Sequence, residues 1–122
     1  MFSISKDFAF SASHQLGGLP NDHPCSRLHG HNYIVRVTLM ADYLDRVGFI
    51  LDYRALDPFA RWLAMTLDHQ HLNDVMPHLN PTAEHLAGYL HKEVCSALGL
   101  PDDVRVVVAV SETPKTWASY IP

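Results

Sequence analysis

The sequence predicts an α+β domain: an antiparallel sheet of four strands with two helices packed on one of its faces. Three patterns support this. Residues 2–13 and 30–41 alternate between apolar and polar side chains, as half-buried strands do. Two stretches between residues 56 and 98 place apolar side chains three and four apart, the mark of helices resting on a core. Alternation resumes at Val104, so the order is β-β-α-α-β-β. At 122 residues the chain suits one domain, 1–122, with an adequate core and no need of staples.

The first strand sets Phe2, Ile4, Phe8 and Phe10 against Ser3, Ser5, Asp7 and Ser11. Residues 15–28 contain Gly17, Gly18, Pro20, Asn21, Asp22 and Pro24 and form a long loop. Loops of that length in compact domains tend to be functional or mobile, and Cys25 near its end favours function. The second strand, from about Gly30 to Ala41, pairs antiparallel with the first. Asp42–Gly48 turns the chain into a short strand at Phe49-Ile50-Leu51. The first helix presents Leu56, Phe59, Ala60, Leu63 and Leu67. It starts at an Asp57 cap followed by Pro58, or earlier at Tyr53 with Pro58 at a kink. Trp62 and Met65 fall off its stripe, at the edge of the core or against a neighbouring subunit.

Asp68–Pro81 is irregular and polar. The second helix follows Thr82 as N-cap, packs through Leu86, Ala87, Leu90, Val94 and Leu98, and ends at Gly99 before Pro101. Cys95, beside this face, reads as a small buried hydrophobe, and His91 as a solvated residue. Val104, Val106, Val108 and Val110 share their parity with Glu112. A glutamate on that face points inward and needs donors, unless the strand ends near Ser111 and leaves it exposed. Thr116–Ile121 supplies a last short strand.

The formal charge is −4 and no basic cluster is present, which argues against a nucleic-acid partner. The longest apolar run, Val106–Val110, is far too short to cross a bilayer, and the first residues lack the pattern of a secretory signal. Two cysteines without regular spacing give no disulfide framework and fit a reducing cytosol. The expectation is a cytoplasmic protein with no membrane partner. None of its six glycines forms a dinucleotide fingerprint or a phosphate loop.

The stretch Cys25-Ser26-Arg27-Leu28-His29-Gly30-His31-Asn32 organises the candidate chemistry. In an extended segment His29 and His31 project from one side, the side of Tyr33, Val35, Val37 and Leu39. His14 shares its face with Phe8 and Phe10. With nine histidines in the chain, one H-x-H pair is weak evidence of a metal. Parity adds to it, because all three imidazoles then point inward, where an unpaired polar ring is costly. One cation partners all three. Three histidines with an open position form a catalytic type of zinc site, and Cys25 beside it is a candidate reactive thiol. A closed structural site, with Cys25 as fourth ligand, is the competing reading.

Five blocks, in order, cover nearly the whole chain: Phe10-Ser11-Ala12-Ser13-His14, Cys25 to Tyr33, Leu67-Asp68-His69, Asn80-Pro81-Thr82-Ala83-Glu84 and Ser111-Glu112-Thr113. Together they resemble the 6-pyruvoyl-tetrahydropterin synthase family, and within it the short bacterial carboxy-tetrahydropterin branch of queuosine biosynthesis. The resemblance implies the tunnelling fold, in which sheets of several subunits join into a trimeric barrel and trimers pair into a homohexamer. It implies Zn2+ held by His14, His29 and His31, and a catalytic group of Cys25, Asp68 and His69. It also implies a pterin triphosphate substrate, 7,8-dihydroneopterin triphosphate, whose ring Glu112 anchors, with Thr82 near it. In the carboxy branch acetaldehyde and triphosphate are released; in the pyruvoyl branch triphosphate alone leaves. For the triphosphate the chain offers Arg27 and Lys115, with Lys6 and His71 as further candidates. Three departures from the family pattern, His85, Tyr53 and Arg54, touch neither the metal set nor the thiol.

Overall fold

A computed structural model describes every residue, Met1–Pro122. Strand β1 (Phe2–His14) pairs antiparallel with β2 (His29–Ala41), in a register that runs from Phe2 opposite Ala41 to His14 opposite His29. Because side chains alternate across a strand, this register puts Phe8, Phe10 and Ala12 on the same face as Tyr33, Val35, Val37 and Leu39, all buried. The next strand inward from the C-terminus, Arg105–Ser111, extends the ladder antiparallel to β2 and adds Val106, Val108 and Val110 to that face. Ala118–Tyr120 pairs with it in turn.

Three helices cover this face: α1 (Asp57–Thr66), α2 (Leu72–Val75) and α3 (Ala83–Leu98). Helix α1 buries Phe59 and Leu63, and α3 buries Leu86, Ala87, Leu90 and Val94. The Thr82 hydroxyl caps α3 by accepting from the His85 amide at 3.1 Å. Gly99 ends it in the left-handed conformation, φ 53°, where a Cβ would be strained. Trp62 is half-buried at the edge of the core, its ring stacked on Phe59.

The sheet has five strands rather than four. Between α1 and α2, Gln70–His71 forms β3, a two-residue strand parallel to β1 at Ala12 and Ser13. With Arg105–Ser111 as β4 and Ala118–Tyr120 as β5, the order is β3-β1-β2-β4-β5. The chain reaches β1 because His69 takes φ 60°, a left-handed turn that is uncommon outside glycine. The segment 68–81 is therefore not irregular throughout. Phe49-Ile50-Leu51 is not a strand. The Asp45 carboxylate accepts from the amides of Val47 and Phe49, and the Asp45 amide donates to the Phe49 carbonyl at 2.8 Å, so that backbone is committed locally. A 3-10 turn, Tyr53–Leu56, capped by Asp52, leads into α1, so Asp57 is its first residue and not its cap. Cys95 is exposed, not buried, because the core-facing position belongs to Val94 one residue earlier. His91 is half-buried and lies against the Tyr120 ring, with 4.7 Å between centroids.

Leu90 has no exposed surface, whereas Met65 is 84 % exposed. Leu90→Ala is expected to lower the unfolding free energy in urea by about 2–5 kcal/mol. Met65→Ala is expected to change it by less than about 0.5 kcal/mol.

Candidate metal centre

The β1–β2 register brings His14 and His29 into direct opposition and places His31 opposite Ala12 on the same face. The three rings cluster with centroids 4.4, 4.9 and 5.1 Å apart and interplanar angles of 68°, 89° and 83°. Two of the outer nitrogens are fixed by backbone carbonyls: His14 Nδ1 donates to Pro81 O at 2.8 Å, and His29 Nδ1 donates to Arg27 O at 2.7 Å. A carbonyl only accepts, so both rings carry the proton on Nδ1 and leave the Nε2 lone pair facing inward. Those two Nε2 atoms stand 2.8 Å apart. His31 Nε2 is buried and has no hydrogen-bond partner at all.

Two facing lone pairs and an orphaned third nitrogen are a poor hydrogen-bonding arrangement and a good donor set for a cation. One ligand atom from each residue lies within 4.8 Å of the others. The carbonyl partners supply the orientation that metal-binding imidazoles require. Burial pushes the His14 imidazole below its ordinary pKa, against the opposing pull of the Pro81 carbonyl, and burial does the same to His31 against the opposing charge of Glu112. Both effects favour the neutral ring, the form that binds a metal.

The Cys25 sulfur is not part of this cluster. Cys25 is half-buried on a 3-10 turn, Pro24–Ser26, where its amide donates to His23 Nδ1 and its carbonyl accepts from the Leu16 amide. Asp68 and His69 do meet: Asp68 Oδ2 lies 3.0 Å from His69 Nδ1. The other carboxylate oxygen accepts from the Ser11 amide at 2.9 Å, and the His69 amide donates to the Ser11 carbonyl. The Ser11 amide, then the His69 ring, hold the Asp68 carboxyl below its usual range. A cleft of about 570 Å³ has His31 and Asn32 on one wall and His69 and His71 on the other; of the three clustered histidines only His31 borders it. Ser13 Oγ bonds His71 Nδ1 at 2.9 Å.

Glu112 follows β4 directly, half-buried, its Oε2 3.8 Å from His31 Nε2. It lines a second cleft of about 510 Å³ with His31, Asn32, Ile34 and Trp117. Arg27, Thr82 and Lys115 line neither cleft. The Arg27 and Lys115 side chains are exposed, and Arg27 meets the cluster only through its carbonyl. The Thr82 hydroxyl is occupied in capping α3. Lys6 lies 3.7 Å from Asp57 and is likewise outside both clefts. Sequence reasoning missed Ser11 and the Pro81 and Arg27 carbonyls, since backbone donors and acceptors leave no mark in residue identity.

A family model described as 6-pyruvoyl tetrahydropterin synthase matches residues 3–122. The chain is 34% identical over 109 residues to the 6-carboxy-5,6,7,8-tetrahydropterin synthase of Synechocystis sp., covering 83% of this chain and 80% of that protein. It is 30% identical over 128 residues to the protein of the same name from Bacillus subtilis, covering 99% of this chain and 86% of the relative. Among solved structures, the 6-pyruvoyl tetrahydropterin synthase of Caenorhabditis elegans superposes with a TM-score of 0.85 at 25% identity, over 99% of this chain and 95% of that one. The Plasmodium falciparum 6-pyruvoyl tetrahydropterin synthase, at 18% identity and a TM-score of 0.77, shares the fold.

The folded pKa values of His14 and His31 lie below the ordinary 6.5, so between the two values the unfolded chain binds more protons than the folded one. Stability of the metal-free protein is therefore full above pH 6.5 and declines as pH falls from 6.5 through the depressed values. Thermal unfolding in chelator across this range checks it; a melting temperature flat from pH 7 to about 5 is contrary to this linkage.

Proposed function

The chain belongs to the 6-pyruvoyl tetrahydropterin synthase family of lyases, and on that premise we propose that it is a zinc-dependent 6-carboxy-5,6,7,8-tetrahydropterin synthase. With one water consumed, it converts 7,8-dihydroneopterin triphosphate to the carboxy-tetrahydropterin with release of acetaldehyde and triphosphate, a step toward queuosine. The observation that carries the proposal is the cluster of three imidazoles, one of which, His31, borders a cleft also lined by His69 of the Asp68–His69 pair. The names of the bacterial relatives point to the carboxy product.

His14, His29 and His31 would hold the metal. Bound zinc supplies a double positive charge that lowers the pKa of neighbouring hydroxyls and polarises a carbonyl. Cys25 takes the proton from the side-chain carbon. Asp68 orients the His69 ring through Nδ1, leaving Nε2 to pass protons to and from the cleft. Glu112 accepts from the amino group and ring N–H of the pterin, a pair that matches two carboxylate oxygens. The redox change is internal to the substrate, so no nicotinamide is consumed. The placement of Cys25 outside the imidazole cluster argues against a fourth ligand, and Cys25 lines neither cleft.

Assembly fits the same proposal. The outer edge of β1 has no pairing strand from Phe2 to Phe10, since β3 covers only Ala12 and Ser13 and Asp68 and His69 take the backbone of Ser11. Unpaired backbone of that length favours closure by another subunit, here a ring of sheets that pairs into a hexamer. No helix is long and apolar enough to cross a membrane, and both cysteines are free, which suits work in the cytoplasm.

The structural likeness to the Caenorhabditis elegans 6-pyruvoyl tetrahydropterin synthase favours a second reading, in which triphosphate alone is eliminated. Incubation with dihydroneopterin triphosphate separates the two: acetaldehyde is expected in proportion to substrate consumed, and consumption without acetaldehyde selects the pyruvoyl reaction. Cys25→Ala is expected to keep its zinc by elemental analysis while turnover falls by roughly 10²–10⁴-fold. Loss of zinc from that variant would make Cys25 a ligand instead.

A further inference from the structure

The face of the sheet turned away from the helices carries a feature outside the residues assigned above. Asp7, Arg36, Ala109 and Ser119 stand side by side across four strands, in the order β1, β2, β4, β5. Arg36 bonds both Asp7 oxygens, Nε to Oδ1 at 2.8 Å and Nη2 to Oδ2 at 3.0 Å. This fixes the guanidinium in a plane. Trp117, two residues before Ser119, lies with its ring over that guanidinium, 4.6 Å from Arg36 Cζ to the ring centroid. The small side chain of Ala109, between Arg36 and Ser119, leaves room for this reach. The indole thereby spans from β5 to β2.

Trp117 also closes the turn that carries Glu112. From Ser111 the chain bends through a Ser111 hydroxyl bond to the Thr113 carbonyl, a Thr113–Thr116 hydroxyl pair at 3.1 Å and a Thr116 amide bond back to Thr113. Trp117 follows at once, and its stacking on Arg36 anchors the far end of the turn. With one ring face against Arg36 the residue still has 43 % of its surface exposed, and it borders the Glu112 cleft beside Ile34.

We propose that Trp117, held by the Asp7–Arg36 pair, is the aromatic wall against which a flat heterocycle rests when its N–H edge meets Glu112. The cleft offers an indole, an aliphatic side chain and a single carboxylate, the combination that suits a planar ring with an amino-pyrimidine edge. Trp117 is then a ring-contacting residue, and Arg36 and Asp7 are positioning residues that act through it. The inference rests on the reading of the Glu112 cleft as the ring site.

The test uses the two tryptophans separately. In Trp62→Phe the remaining emission comes from Trp117, and in Trp117→Phe it comes from Trp62 on α1. Titration with neopterin, which lacks the triphosphate leaving group, is expected to quench the Trp117 signal saturably and the Trp62 signal far less. Equal quenching of both, or of neither, overturns the proposal. In turnover of dihydroneopterin triphosphate, Trp117→Ala is expected to raise KM about tenfold, the scale of one lost stacking contact, with kcat within about twofold. Trp117→Phe is expected to restore most of the KM, and Arg36→Ala to raise it in the same direction. An unchanged KM in Trp117→Ala also overturns the proposal. If the unsubstituted protein turns over no dihydroneopterin triphosphate yet neopterin quenches Trp117 selectively, the assigned reaction fails and the ring wall stands. Turnover without selective quenching gives the reverse.

Discussion

A slip of one residue between β1 and β2 would dismantle the candidate centre. The period of a strand is two, so such a slip turns every side chain of one strand to the opposite face. His14 would leave His29 and turn outward together with Phe8 and Phe10, while Ser11 and Ser13 turned inward. What holds the register is the long apolar ladder running away from the histidines, where Phe8 stands opposite Val35 and Phe10 opposite Tyr33. Phe10 and Tyr33 stack with centroids 4.9 Å apart, one step in from the cluster. The same packing that stabilises the sheet therefore aims the imidazoles.

Placing those rings at the end of a core has a thermodynamic consequence. A buried polar atom without a partner costs about 1–3 kcal/mol, and His31 Nε2 is such an atom. Tyr33, its hydroxyl 3.2 Å from His14 Nδ1, adds a second polar group to the same buried corner; burial, with Glu112 nearby, pushes its pKa up. A cation held by the two oriented rings and by His31 would convert this cost into binding free energy. The Pro81 carbonyl that orients His14 directly precedes the Thr82 cap of α3, so the helix start and the centre are parts of one local arrangement.

Much of this was legible in the residues. The inward faces of His14, His29 and His31 followed from parity alone, because two long alternating strands leave little freedom of register. The stripe of α3, its Thr82 cap and its Gly99 terminus were equally plain. Short elements were not: β3 has two residues and no period to detect, and it forms only because His69 turns left-handed beside Ser11. Phe49–Leu51 has the composition of a strand, but Asp45 claims its backbone. Charge was the least legible property at the site. Arg27 and Lys115 are near in sequence to the blocks that carry the family resemblance yet border neither cleft, whereas Arg36 had nothing in its neighbourhood to mark it and meets Trp117 across the sheet.

X-ray absorption at the zinc edge of the metal-loaded protein tests the centre most directly. Expected is a first shell of three imidazole nitrogens at about 2.0–2.1 Å, completed by oxygen and without sulfur. A sulfur scatterer at about 2.3 Å, or fewer than three imidazoles, would contradict an open three-histidine site with Cys25 left free as a base.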